Sequence, residues 1–123
     1  MKQFVIVVIV LLAAAPAAIG QQLKPRLARV GVVQVQGRRP VLEVVANAPL
    51  AFNVIPSGKR LDVRIYGVEA GLVPLDQMSA FGRIVLVPEA KRGNLLLRIT
   101  PQGKQTFDVK AGSRPNVIEI TPR

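Results

Sequence analysis

The chain contains no cysteine and no histidine. Those absences leave no residues for zinc sites of the usual kind, for thiol nucleophiles or for imidazole general bases. No disulfide can staple the fold, so its stability must come from packing. Aromatic side chains are scarce too: there is no Trp, one Tyr and four Phe. A broad stacking platform for bases or sugars is therefore not expected, and Tyr66, at the end of an alternating stretch, reads as half-buried. Acidic charge is the third shortage, with 7 Asp and Glu against 17 Lys and Arg, a net charge of +10. The seven acids are Glu43, Asp62, Glu69, Asp76, Glu89, Asp108 and Glu119. Glu43, Asp62, Asp108 and Glu119 fall at outward strand positions, where solvated carboxylates or cross-strand pairs with Arg64 and Arg98 are expected. Nothing here resembles a catalytic pair. Gly67 to Gly71 lacks the strand-to-helix setting of a phosphate loop. The reading is of a protein that is not an enzyme, with no metal and no cofactor.

What the chain does have begins with a leader. Lys2 supplies positive charge, Phe4 to Leu12 an unbroken apolar run, and Ala13 to Gly20 a small-residue segment in which Ala18 and Gly20 suit cleavage before Gln21. The wider apolar stretch Phe4 to Ile19, with Pro16 inside it, is shorter than the ~20 residues of a membrane span. No cysteine follows it to carry a lipid. Residues 1–20 are thus expected to be a secretory signal peptide, residues 21–27 a linker, and residues 28–123 one small domain. Export also takes the positive charge away from nucleic acid and toward the anionic polymers of the cell envelope.

The domain reads as a β pattern written twice. Shifted by 55 positions, Val30 and Val32 meet Val85 and Val87, and Leu42 and Val44 meet Leu97 and Ile99. Phe52-Asn53-Val54 then meets Phe107-Asp108-Val109, and Val63 and Ile65 meet Ile118 and Ile120. Alternation and turn residues predict eight strands: 28–36, 41–46, 50–55, 60–66, 83–87, 94–100, 104–109 and 116–121. Gly67 to Gly82 is expected to be a crossover with a short helical turn near Leu75 to Ala80. The fold class expected is all-β, a sandwich of two related four-stranded sheets from an internal duplication with a period of about 55 residues. Its core would set Leu42, Val44, Phe52, Val54, Leu61, Val63 and Ile65 against Leu95, Leu97, Ile99, Phe107, Val109, Ile118 and Ile120.

Basic residues gather in the turns of this pattern: Arg38 and Arg39, Lys59 and Arg60, Lys91 and Arg92, and Arg114. These seven are the candidate anion-binding residues, because Arg takes a carboxylate or phosphate through two parallel hydrogen bonds. Turn-borne Lys and Arg also solubilise sheet edges, so the pattern alone leaves both roles open.

Two stretches, "GRRPVLEVVANAPLAFNVIPSGKRLDVRIYGV" and "GNLLLRITPQGKQTFDVKAGSRPNVIEI", share one grammar. It is a Gly and Arg before an apolar alternating strand, a short turn, an aromatic strand, then a strand led by Pro and carrying Arg-Leu that ends near a Gly. Gly37 with Arg38 or Arg39, Phe52 to Val54, Pro56 with Arg60-Leu61, and Gly67-Val68 fill these places in the first stretch. The chain thereby resembles the AMIN domain, found ahead of cell-wall amidases and in the secretins of type IV pili. It departs from that pattern in having Arg64, with Asp62 two places earlier, where the family usually has an Asp, and in Pro40. The resemblance implies a two-sheet sandwich that localises to the periplasm by binding peptidoglycan or another anionic envelope polymer. An adaptor role toward secretin, pilus or amidase proteins is the alternative it allows. It implies no nucleic-acid partner, and membrane contact only through the signal peptide before cleavage.

Overall fold

The computed structural model describes residues 24–34 and 36–123. The stretch read as a signal peptide, and residues 21–23 of the expected linker, lie outside the described residues. Among those described there is no helix. Nine strands are present: β1 (Leu27–Val33), β2 (Val41–Ala46), β3 (Phe52–Ser57), β4 (Arg60–Ile65), β5 (Asp76–Ser79), β6 (Gly82–Glu89), β7 (Asn94–Thr100), β8 (Phe107–Ala111) and β9 (Val117–Pro122). All neighbours are antiparallel, in a four-stranded sheet β1-β2-β9-β8 and a five-stranded sheet β3-β4-β7-β6-β5. The result is an all-β, sandwich-like fold.

Three differences from the sequence reading have physical causes. The expected helical turn at Leu75 to Ala80 is instead β5, which lies along β6 with Gln77 opposite Ile84 and Met78 opposite Arg83. Four residues gain more from a ladder on an existing strand than from one isolated helical turn, whose nucleation is unfavourable. That strand makes the second sheet five-stranded, not four. The sheets also do not separate the two halves of the sequence. Hairpins β1-β2 and β8-β9 share one sheet, and β3-β4 and β6-β7 share the other.

The registers of the two sheets correspond pair by pair. Val30 faces Val44 and Val32 faces Leu42 in one sheet, as Ile84 faces Ile99 and Leu86 faces Leu97 in the other. Across the central seams, Leu42 faces Ile120 where Leu97 faces Val63. At the far edges, Phe52 faces Ile65 where Phe107 faces Pro122. Val30 thus matches Ile84 at an offset of 54, and Val63 matches Ile120 at 57, while β2 and β3 match β7 and β8 at 55. A gap-free shift of 55 therefore misaligns two of the four strand pairs. For β1 it even exchanges the faces, because strand side chains alternate with period 2.

One core joins the sheets. Leu42, Val44, Ile118 and Ile120 from the first, and Val63, Ile65, Ile84, Leu86, Leu95, Leu97 and Ile99 from the second, are all buried in it. Leu27, assigned to the linker by sequence, is 2% exposed inside this core. Phe81 and Phe107 stack in it with ring centroids 5.5 Å apart, worth about 0.5–1.5 kcal/mol beyond their area. The expected core needs correction on edge strand β3, where Val54 is 39% exposed and Phe52 only partly buried. Leu61 and Val109 are likewise partly buried. An edge strand has a neighbour on one side only, so its inward residues are less well covered.

The tightest backbone approach is at Gly82, with φ +115°, where an added Cβ would overlap the Thr100 carbonyl oxygen. Gly82→Ala is expected to cost more than about 1 kcal/mol, since alanine is strained at positive φ. Leu97→Ala is expected to cost about 2–5 kcal/mol as a core truncation. Chemical denaturation of both variants with an unchanged slope checks these values.

Candidate functional site

All seven carboxylates have a cation within 4.0 Å. Glu43 meets Arg29 at 2.8 Å, Glu69 meets Lys24 at 3.6 Å, Glu119 meets Lys110 at 3.8 Å and Asp108 meets Arg123 at 2.6 Å. Asp62 lies between Arg98 at 3.2 Å and Arg60 at 3.3 Å. Glu89 is held by both ends of the Arg64 guanidinium at 2.9 and 3.2 Å, and Asp76 is held in the same way by Arg83. Strand register explains most of these pairs: Asp62 is directly opposite Arg98, and Lys110 directly opposite Glu119.

The cross-strand pair Asp62 with Arg98 follows the sequence expectation, but the solvated state does not. Asp62 is 5% exposed, because Arg60 and Arg98 converge on it from its own strand and the next. Arg64 turns to Glu89, at the end of β6, and not to one of the four carboxylates expected to share its sheet face. Glu43 and Glu119 are directly opposite each other, an arrangement that repels. Arg29 and Lys110 offset the repulsion from either side.

These pairs occupy eight cations: Lys24, Arg29, Arg60, Arg64, Arg83, Arg98, Lys110 and Arg123. Among the described residues the other eight have no carboxylate within 4.0 Å: Arg26, Arg38, Arg39, Lys59, Lys91, Arg92, Lys104 and Arg114, although the charge of Arg92 also acts on Glu89. Every one of them is exposed. Six of the seven sequence candidates are in this set. Arg60, the seventh, is committed to Asp62.

The strand order collects these free cations at two ends. Arg38 and Arg39 in the β1-β2 turn lie at the end where β9 finishes, and Arg39 Nη1 donates to the Pro122 carbonyl at 3.5 Å. The link 101–106 from β7 brings the Lys59 turn to the same end, since β4 begins beside the end of β7 and β8 begins beside Pro122. Lys104 lies in that link. At the opposite end, residues 50 and 51 join the two sheets. Leu50 N–H donates to the Pro115 carbonyl at 2.9 Å, and Tyr66 N–H donates to Ala51 at 2.9 Å. Arg114, Lys91 and Arg92 share this second end with Arg26, whose N–H donates to Asn47 Oδ1 at 2.9 Å.

Arg26 and Lys104 were not singled out in the sequence. Lys104 was assigned to a strand, but that strand begins only at Phe107; Gly103, at φ +74°, was the available sign that Lys104 is still in the turn. Tyr66, read as half-buried, is 43% exposed at the second end.

The second end carries a hollow of ligand size. A groove of about 800 Å³ runs between the β4-β5 crossover and the β6-β7 turn, with Val68 and Leu95 in its apolar floor and Lys24 and Arg92 among its lining. A smaller hollow of about 380 Å³ beside it is lined by Arg64, Glu89, Ala90, Lys91 and Arg92. Gly67 N–H donates to Asn94 Oδ1 at 3.1 Å, tying the crossover to the turn and fixing the groove's width. The crossover residues Val68 and Leu75 were read only as a connection, since nothing in their spacing predicts which surface they will face.

Hydrogen bonding from Arg64 holds the Glu89 carboxyl below its ordinary range, and Arg83 does the same to Asp76. The folded values are lower than the unfolded ones, so the unfolded chain takes up protons first. The contribution of both pairs is present above the ordinary carboxylate range of about 4 and is lost as pH falls through the folded values. Thermal midpoints measured on the acid side should therefore fall with pH, and a Glu89→Gln, Asp76→Asn double variant should show a shallower fall.

No family model matches this chain, and no curated protein or solved structure matches it significantly.

Proposed function

We propose that the chain is an exported, non-catalytic module of the AMIN type that binds peptidoglycan, or a chemically similar anionic polymer of the periplasm, through its two basic ends. The observation that carries this reading is the separation of charge. The carboxylates are neutralised on and around the sheets, while eight exposed cations without partners stand at the ends, four at each. Turn-borne cations reach the two ends through the strand order; what favours binding is that none of the eight has a carboxylate within 4.0 Å among the described residues.

An origin by internal duplication supports the same reading. The matched registers of the two sheets, strand by strand, are what two copies of a β1-to-β4 unit would give after exchanging hairpins. Under that correspondence the Arg38-Arg39 turn answers to the Lys91-Arg92 turn, and the Lys59 turn to the Arg114 turn. A repeated ligand suits a repeated site, and peptidoglycan repeats its stem peptides along a strand.

A stem peptide offers carboxylates beside small methyl-bearing residues. At the groove end, Arg92 and Lys91 supply charge for the former, and the Val68-Leu95 floor supplies apolar contact for the latter. Pairing every carboxylate with a cation also leaves none free to act as a general acid or base, which favours binding without turnover.

Co-sedimentation with purified sacculi tests the proposal. Binding at low salt is expected, with a loss of roughly tenfold when Lys91, Arg92 and Arg114 are all replaced by Gln, since each exposed ionic contact is worth about 0.2–1 kcal/mol. The triple replacement at the other end, Arg38, Arg39 and Lys59, is expected to weaken binding further. Protein that stays in the supernatant, or that sediments equally well in both variants, sinks the reading.

A further inference from the structure

In the five-stranded sheet β6 is not an edge, because β5 covers it. Asp76 lies opposite Val85 and Met78 opposite Arg83, and Leu86 N–H donates to the Leu75 carbonyl at 2.8 Å. In the four-stranded sheet β1 holds the place of β6: Val30, Val32 and Arg29 face Val44, Leu42 and Val45 as Ile84, Leu86 and Arg83 face Ile99, Leu97 and Thr100. Yet among the described residues no strand lies along β1 on its outer side. The one bridge there is Arg26 with Glu69, at the very start of the strand, where Leu27 N–H donates to the Glu69 carbonyl at 2.8 Å. Since Val32 takes the place of Leu86, the N–H and C=O groups of Val30 and Val32 face the open side.

The covered edge also indicates what fits the open one. Asp76 of β5 reaches across to Arg83, with Nε at 2.9 Å and Nη2 also engaged. Arg29 is the matching residue on β1, and it engages Glu43 through Nη2 at 2.8 Å. Its Nε and Nη1 are available to a second carboxylate. Arg26 lies at one end of β1, and Arg38 and Arg39 lie beyond the other. A second copy of this chain would bring like charges together, given 17 basic and 7 acidic residues.

The geometry points to the Ala28 to Val33 edge of β1 as a docking site for an extended acidic segment of a partner protein. The segment adds as an antiparallel fifth strand, and its carboxylate meets Arg29 as Asp76 meets Arg83. Backbone pairing supplies the affinity, and the Arg29 contact supplies the choice of partner. The site lies along a sheet edge and does not depend on the basic ends.

The test is an amide-resolved NMR titration of the full chain with a synthetic peptide of the sequence Pro-Leu-Asp-Gln-Met-Ser-Ala, which copies residues 74–80. The expected result is saturable shifts centred on Ala28 to Val33, with slowed hydrogen exchange at Val30 and Val32. Binding should disappear in Val32→Pro, which removes an outward donor from an edge strand. It should weaken roughly threefold in Arg29→Gln, which also serves as the readout if the proline variant does not fold. Absence of shifts at millimolar peptide overturns the proposal, as do shifts confined to β6, which would mean exchange with β5. Val30 and Val32 amides protected before any peptide is added overturn it too. Protection that grows with protein concentration would assign the edge to a second copy, and protection that does not would assign it to the chain's own N-terminal residues. Sacculus binding that survives in Val32→Pro separates this site from the basic ends.

Discussion

The two central seams, β2 with β9 and β4 with β7, are the pairings on which everything else in the molecule depends. Each joins a strand of the first half of the chain to a strand of the second, so neither half can close a sheet alone. The seams carry the most deeply buried side chains: Leu42, Val44, Ile118 and Ile120 in one, Val63, Ile65, Leu97 and Ile99 in the other, at 0% exposure. Burial of this kind contributes roughly 1.5–3 kcal/mol per side chain before entropy is subtracted. With no disulfide available, it must offset the ordering of the whole domain. The pairing is also long-range in sequence. Such contacts form only after large loops have closed, which makes folding slower than for a fold of local hairpins.

The same seams decide where charge can go. A residue in the middle of a strand has fixed neighbours, so Asp62 meets Arg98 and Lys110 meets Glu119 by register alone. A residue in a turn has none, and its charge stays uncompensated. Exchanging hairpins between the sheets then brings turns from both halves to each end of the molecule, so the free cations form two groups instead of a scatter.

Composition and alternation were enough to read an all-β chain, seven of the nine strands close to their true limits, and the turns that hold six of the eight free cations. Period-2 patterning is a local signal, and Leu61-Val63-Ile65 and Leu95-Leu97-Ile99 display it without ambiguity. Sheet partnership is not local. Two halves of like pattern could each close a sheet or share both sheets with the same side-chain alternation, and only three-dimensional packing separates the alternatives. β5 was missed because Asp76 to Ser79 is half exposed and carries no alternating apolar residues. Its place is set by the strand beside it. At the site, turn-borne charge was legible, but not that Arg60 pairs with Asp62 two residues along its own strand. The groove was not legible at all, since its floor joins Val68 of the crossover to Leu95 of a distant strand.

The two outer edges diverge beside a matching pair of core residues. Phe81 and Leu27, each 2% exposed, hold matching places in the core, and the residues after them are Gly82 and Ala28. Gly82 adopts φ +115° and comes against the Thr100 carbonyl, a geometry that a Cβ forbids. It permits the tight reversal that lays β5 on β6. Ser79 Oγ fixes that reversal by donating to the Gly82 carbonyl at 2.8 Å and accepting from Phe81 N–H at 3.1 Å. Ala28 cannot take the same conformation without strain. The chain before β1 instead runs toward Glu69, where Glu69 N–H donates to the Pro25 carbonyl at 2.9 Å, and the ladder on β1 shifts between Leu27 and Arg29. Gly82 thus lets the chain close one outer edge for itself, while among the described residues no strand lies along the other beyond Leu27. An open edge invites indiscriminate pairing unless something limits it. The strand here is short, it is flanked by Arg26 and Arg38, and it carries Arg29 at its centre, so a strand that brings negative charge is favoured over one that does not.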